Sequence, residues 1–186
     1  MFREKIDGSL LKEMLIGAAA SLQNNKEILN ALNVFPVPDG DTGTNMSLTM
    51  ASVVKELSLI KENTVSAVST AMARGALKGA RGNSGVILSQ ILRGLANTFG
   101  NTDEIDTLKF AQALRYGSDI AYKSVMKPKE GTILTIIRTA SDEAFRSARS
   151  GADIYQFFND IIKSGETTLE RTPDMNPVLK KAGVVD

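Results

Sequence analysis

Two carboxylates, Asp39 and Asp41, stand one residue apart in the stretch Asn33-Val34-Phe35-Pro36-Val37-Pro38-Asp39-Gly40-Asp41-Thr42-Gly43-Thr44-Asn45. Pro36 and Pro38 fix φ at their own positions and push Phe35 and Val37 toward extended backbone, so the approach to Asp39 is stiff. Gly40 and Gly43 permit tight or left-handed turns beside the acids. Carboxylates held this close repel one another unless a cation lies between them. Mg2+ takes one or two protein carboxylates and fills the rest of its octahedron with water and substrate phosphate. Asn33 can add a neutral oxygen. Thr44 and Asn45 fall where a helix should begin, and helix N–H groups favour an anion there. The same residue types also make an ordinary surface turn followed by a cap. An EF-hand does not fit, because the loop lacks the closing Glu.

A second set is Gly75-Ala-Leu-Lys-Gly79-Ala-Arg-Gly82-Asn83-Ser84-Gly85. Read as a glycine-rich turn opening the Val86 helix, it lets backbone approach a ligand, with the Ser84 hydroxyl and neighbouring N–H groups placed for phosphate oxygens. It lacks the Gly-Lys-Ser/Thr ending of a Walker A loop and the spacing of a dinucleotide fingerprint. Close helix packing through Gly and Ala explains it equally well. In Lys129-Glu130-Gly131-Thr132, Thr132 reads first as an N-cap. Met46, Met50 and Met72 read as core filling, and the basic residues of the tail from Arg171 as surface charge.

Composition narrows the chemistry further. Among 186 residues there is no Cys and no His. Disulfides, thiol nucleophiles, imidazole bases and Cys- or His-ligated metals are therefore excluded within this sequence. What is left is carboxylate, amide, hydroxyl, Lys, Arg and backbone N–H, an inventory suited to a hard cation. The formal net charge is +1, which gives no global attraction to nucleic acid or an anionic membrane. Seven Phe, three Tyr and no Trp provide few rings for base stacking, so no nucleic-acid partner is expected. No apolar run approaches the length of a membrane span, and no stable membrane insertion is expected. Met1-Phe2-Arg3-Glu4-Lys5 does not resemble a secretory signal, and the cytoplasm is the expected compartment.

The elements that must position these residues are helical throughout. Apolar residues recur at helical spacing over Leu10–Ala18 (capped by Asp7 or Ser9), Ile28–Leu32, Leu48–Leu57, Val65–Met72 (capped by Thr64), Val86–Leu95, Leu108–Val125 (capped by Asp106), Ile133–Phe145 and Ile154–Ile162. The last of these should end near Thr172-Pro173. Strand alternation, repeats and low-complexity linkers are lacking. The expectation is one all-α domain of eight helices over 1–186. Lys181–Asp186 stops without a recognisable cap or polar tail, which suggests the N-terminal part of a longer chain.

The combination is more specific than its parts. Leu32–Met46 resembles the signature of the dihydroxyacetone kinase L-domain family, nearest to the ATP-binding subunit of bacterial fatty acid kinase. Ala80–Gln90, Gly131–Leu134 and Pro177–Asp186 match further signatures of that branch, so the resemblance covers essentially the whole chain. It implies an eight-helix up-and-down antiparallel barrel that binds ATP and two Mg2+ ions at one end. By position it implies Asp39 and Asp41 as metal ligands and catalytic groups. Asn33 stands where the dihydroxyacetone branch has a third Asp, across a one-residue gap. Thr44, Asn45, Gly82, Asn83 and Ser84 are implied at the phosphates, and Thr132 and Asp186 near the nucleoside. The fatty acid kinase branch implies γ-phosphate transfer to a fatty acid on a separate, DegV-like carrier protein, giving an acyl phosphate in phospholipid metabolism, and a homodimer through the part of the chain beyond this domain. Three further readings stay open: the L subunit of a dihydroxyacetone-type kinase, a nucleotide-binding module inactive alone, and a structural helical domain.

Overall fold

A computed structural model describes residues 5–186; Met1–Glu4, most of the stretch read as no secretory signal, lie outside the described residues. Every described helix is α-helical, and all eight expected helices form: α1 (Gly8–Asn24), α2 (Lys26–Leu32), α3 (Thr42–Leu57), α4 (Val65–Gly79), α5 (Gly82–Phe99), α6 (Thr107–Ser124), α7 (Ile133–Arg149) and α8 (Ile154–Glu170). Two short helices follow, α9 (Thr172–Met175) and α10 (Pro177–Ala182). The caps expected at Asp7, Thr64, Asp106 and Thr132 accept from Leu10, Ala67, Lys109 and Leu134 N–H respectively.

The helices run up and down in chain order. Along α3 and α4, Gly75 lies against Val53 and Gly79 against Ser52 and Thr49. Along α4 and α5, Ser66 bonds Asn101 at one end. Phe99 stacks near Phe110 while Gly94 meets Gly117, so α5 and α6 are antiparallel. Arg115 bonds Ser141 and Arg138 lies over Tyr122 between α6 and α7. Thr139 pairs with Thr168 and Ser147 with Asp160 between α7 and α8. Strict alternation puts the N-termini of α3, α5 and α7 at one pole and those of α4, α6 and α8 at the other.

One continuous core holds the array. Leu11 and Leu15 of α1, Met50, Val53 and Leu57 of α3, and Val65, Val68 and Met72 of α4 fill one side. Phe110, Phe157 and Phe158 form an edge-to-face cluster at the other, with Phe110 to Phe158 at 5.0 Å, and Phe99 joins it tilted against Phe110. Such ring pairs add to the burial itself. Met50 and Met72 are core residues and Met46 is half-buried.

Three local expectations change. Gly75–Gly79 is the last turn of α4, not part of a turn; the small residues there admit the backbone of α3. Gly43 is helical, and its packing against the Lys26 carbonyl explains it, not a left-handed turn. The chain end does carry a cap: Gly183, at φ 71°, closes α10 with its N–H on the Leu179 carbonyl, while Val184 N–H returns to the same oxygen, a left-handed closing turn. One feature carried no sequence signal. Ile6 and Ile105 exchange backbone hydrogen bonds of 2.8 Å in an isolated antiparallel bridge that ties the start of the chain to the α5–α6 connection.

Candidate functional site

The loop from Asn33 to Asp41 joins α2 to α3 and is clasped by its first residue. Asn33 donates to the Val37 carbonyl at 3.1 Å and accepts from Asp41 N–H at 3.2 Å. Gly40 turns the chain at φ 66°, and the Phe35–Pro36 peptide is cis. The clasp holds Asp39 exposed and Asp41 half-buried at the mouth of α3. Neither carboxylate makes a hydrogen bond or ion pair with any described residue. Asp41 is the N-cap of α3, yet its side chain caps nothing. Asp is among the strongest capping residues, so an uncapping Asp leaves its oxygens available for another partner.

The start of α5 is built against the start of α3. Gly82 has φ 59°, and a Cβ there would lie 2.3 Å from Asn45 Nδ2. Thr49, fully buried, gives its hydroxyl proton to the Asn45 carbonyl at 2.8 Å and lies 3.2 Å from the Gly79 carbonyl, joining α3 to the end of α4. A Cβ on Gly85 would meet that hydroxyl at 2.7 Å. The structure therefore brings Asn45, Gly82, Asn83 and Ser84 together. The Asn45 side chain is buried against Gly82 and has no hydrogen-bond partner among the described residues. Arg81, the N-cap of α5, also caps nothing. Of the six long helices that follow α2, these two alone begin without a side-chain cap from their own N-cap residue. Apart from the Thr44 N–H, which Asn30 Oδ1 accepts at 3.0 Å, their first-turn N–H groups open at one pole beside two unpartnered carboxylates. Amide and N–H donors next to free carboxylates are the donor set that Mg2+ and phosphate need together.

Thr132 and Asp186 meet at the start of α7, at the same pole. The Thr132 hydroxyl is already engaged, donating to the Lys129 carbonyl and accepting from Leu134 N–H. Asp186 N–H donates to Thr172 Oγ1 at 3.1 Å. Burial pushes the Asp186 carboxyl up to about 6, against the opposing effect of the Ile133 N–H that it accepts. Glu130 braces this corner. Arg138 grips both its oxygens at 2.8 and 2.7 Å, and the Thr135 hydroxyl donates at 2.7 Å. Burial works to raise that carboxyl, but the Thr135 and Arg138 bonds outweigh it and hold it below its usual range.

Two contributors escaped the sequence reading. Thr49 sits mid-helix in an apolar stretch, where nothing marks it as a tie between helices. Asn30 bonds Thr44 from α2 across fourteen positions, a contact that only the fold creates. An open groove of about 480 Å3 between α7 and α8, lined by Thr139, Glu143, Arg146, Asp160, Lys163, Ser164, Thr167 and Thr168, contains none of the expected site residues.

Comparison with known proteins identifies the family. The model of the DAK2 domain matches residues 36–186, which takes in both Asp residues and leaves Asn33 just outside. The protein YloV of Bacillus subtilis is 47% identical over 181 residues, covering 97% of this chain and 33% of that protein. An uncharacterised protein of Staphylococcus saprophyticus is 45% identical over 182 residues, with 98% and 33% covered. One from Staphylococcus aureus is 43% identical over the same length. The chain thus spans about a third of the length of the curated relatives it matches. The chain belongs to the DAK2 domain family, a kinase-related family that binds nucleotide.

Proposed function

We propose that this DAK2 domain is an ATP-dependent phosphotransferase domain whose nucleotide and Mg2+ site lies at the pole where α3 and α5 begin. One observation carries the reading: the N-cap residues of α3 and α5 cap nothing, so the N–H groups of Thr42, Gly43, Gly82, Asn83 and Ser84 lie unengaged beside Asp39 and Asp41, which have no partner among the described residues; of the first turn of α3 only the Thr44 N–H is taken, by Asn30. Asp39 and Asp41 would hold two Mg2+ ions, with Asn33 Oδ1 as a third ligand that retains one lone pair beside the Asp41 N–H bond. Bound there, Mg2+ would supply positive charge that offsets the negative charge developing on the phosphates. Thr44, Asn45, Gly82, Asn83 and Ser84 bind and orient the phosphates through N–H, amide and hydroxyl donors. Thr132 and Asp186 border the nucleoside through the surface they present, since their polar atoms are largely engaged already. No residue here needs to act as a nucleophile, because phosphoryl transfer rests on positioning and electrostatics.

The acceptor in this reading is the carboxylate of a fatty acid presented by a separate carrier protein, and the product is an acyl phosphate. The chain's span of a third of its relatives supports a second arrangement, in which the domain holds nucleotide and turns over only with the rest of its protein. Incubation of the domain with ATP, Mg2+ and a lipid-loaded carrier, with hydroxylamine trapping of acyl phosphate, separates the two. Binding is tested by thermal shift. Mg–ADP at a hundred times its Kd should add about 2.7 kcal/mol of stability, and Asp41→Ala should remove that gain while keeping the helical circular dichroism. An Asp41→Ala protein with undiminished affinity would overturn the assignment.

A further inference from the structure

We propose that Asn30, which lies outside every motif of the site, is a positioning residue that turns the Thr44 hydroxyl into a dedicated hydrogen-bond donor toward the phosphates. This deepens the nucleotide reading above and rests on it. The argument comes from one pair of bonds. Asn30 Oδ1 accepts from the Thr44 backbone N–H at 3.0 Å, and Asn30 Nδ2 lies 3.1 Å from Thr44 Oγ1. A backbone N–H can only donate, so the atom facing it must be the amide oxygen. The atom facing the hydroxyl is then the NH2 group, which can only donate. Thr44 Oγ1 is therefore fixed as acceptor toward Asn30, and its own proton is left to point elsewhere.

Several helical threonines spend that proton locally. Thr49, Thr98, Thr139 and Thr168 each donate to the carbonyl four residues earlier, the usual back-bond of helical hydroxyls. Thr44 donates to no described residue. It sits in the first turn of α3, next to the unpartnered Asn45 amide and three residues from Asp41. Asn30 also occupies the Thr44 N–H, so the residue serves an anion through its side chain and not its backbone. A half-buried hydroxyl held in one polarity loses less freedom on binding than a free rotor does.

The test uses the full-length protein and Mg–ADP titrated by calorimetry. Thr44→Val should weaken binding about 10- to 100-fold, the range for a hydrogen bond to a charged group, while Thr44→Ser stays within about twofold of the parent. Asn30→Ala should weaken binding about three- to tenfold, and should cause no further loss when Thr44 is already Val. A purely structural Asn30 would give equal losses in both backgrounds, which overturns the proposal, as does unchanged affinity in Thr44→Val. Asn30→Asp guards against a folding artefact. It still accepts the Thr44 N–H but draws the hydroxyl proton onto its carboxylate, so binding should fall with the melting temperature preserved, and fall less in the Thr44→Val background. Failure of the unsubstituted protein to bind Mg–ADP would instead overturn the nucleotide reading, and this proposal with it.

Discussion

Gly82→Ala tests whether the junction of α3 and α5 is a ligand site or merely a packing contact. The substitution does two things. It places a Cβ on a residue at φ 59°, which costs about 1–2 kcal/mol for an L residue in the left-handed region. It also sets that Cβ 2.3 Å from Asn45 Nδ2 and 3.0 Å from its Cγ, so the Asn45 amide has to swing away. The amide has no partner to lose, so folding should bear little beyond the backbone cost. For a domain of this size, that is a fall of about 2–8 °C in melting temperature. Nucleotide binding should suffer more: one donor to a charged oxygen is displaced, worth about 1.5–3 kcal/mol, or roughly 10- to 150-fold in Kd. Gly151→Ala is the matched control, with φ 79° and nothing within 4 Å of the added Cβ, between α7 and α8 at the opposite pole. Both variants should lose similar stability, and only Gly82→Ala should lose affinity, read by differential scanning fluorimetry and calorimetry side by side. Equal Mg–ADP affinities in the two would refute the placement of phosphates at Asn45 and Gly82.

Other expectations concern the scaffold. Gly94→Ala forces a Cβ to 2.3 Å from the Gly117 Cα; backbone must part from backbone, and the cost should reach about 3 kcal/mol, seen in urea unfolding. Gly17→Ala, with nothing within 4 Å in mid-helix, should instead stabilise by about 0.5–1 kcal/mol. Thr49→Val removes the buried hydroxyl that lies between the Asn45 and Gly79 carbonyls and should cost about 1–3 kcal/mol. Asp186, with its folded pKa raised from 3.8 to about 6, disfavours the folded state when ionised. Stability should therefore rise as pH falls from about 6 to about 4 and be lost again as pH rises through that window. Asp186→Asn should abolish that slope in melts recorded between pH 7 and 4.

Much of this was legible in the sequence because it is local. Helical spacing fixed the eight helices, and Asp7, Thr64, Asp106 and Thr132 announced their starts because capping depends on residues only two or three positions away. The acidic loop was visible for the same reason, its prolines, glycines and carboxylates being consecutive. What could not be read depends on partners brought from afar. Gly75 and Gly79 read equally as turn or as packing residues, and only the contact with α3 decides for packing. Asn30 is an unremarkable helical amide until the loop folds back and sets it on Thr44. The Ile6–Ile105 bridge joins residues ninety-nine positions apart, and two isolated isoleucines carry no alternation to betray it. The closing turn at Gly183 was missed because α10 has only six residues, too few to show a period.

The contact of Gly94 with Gly117 has a mechanical consequence. Helices that meet through long side chains can slide, because rotamers change and the layer between them acts as a bearing. Here α5 and α6 touch backbone to backbone and have no such layer, and α4 rests on α3 in the same manner at Gly75. These four helices form a wedge that resists shear. Any adjustment to a ligand must then be taken up where the chain is neither helical nor wedged, in residues 33–41 and 125–132, so closure at the pole would be a movement of connectors against a fixed anvil.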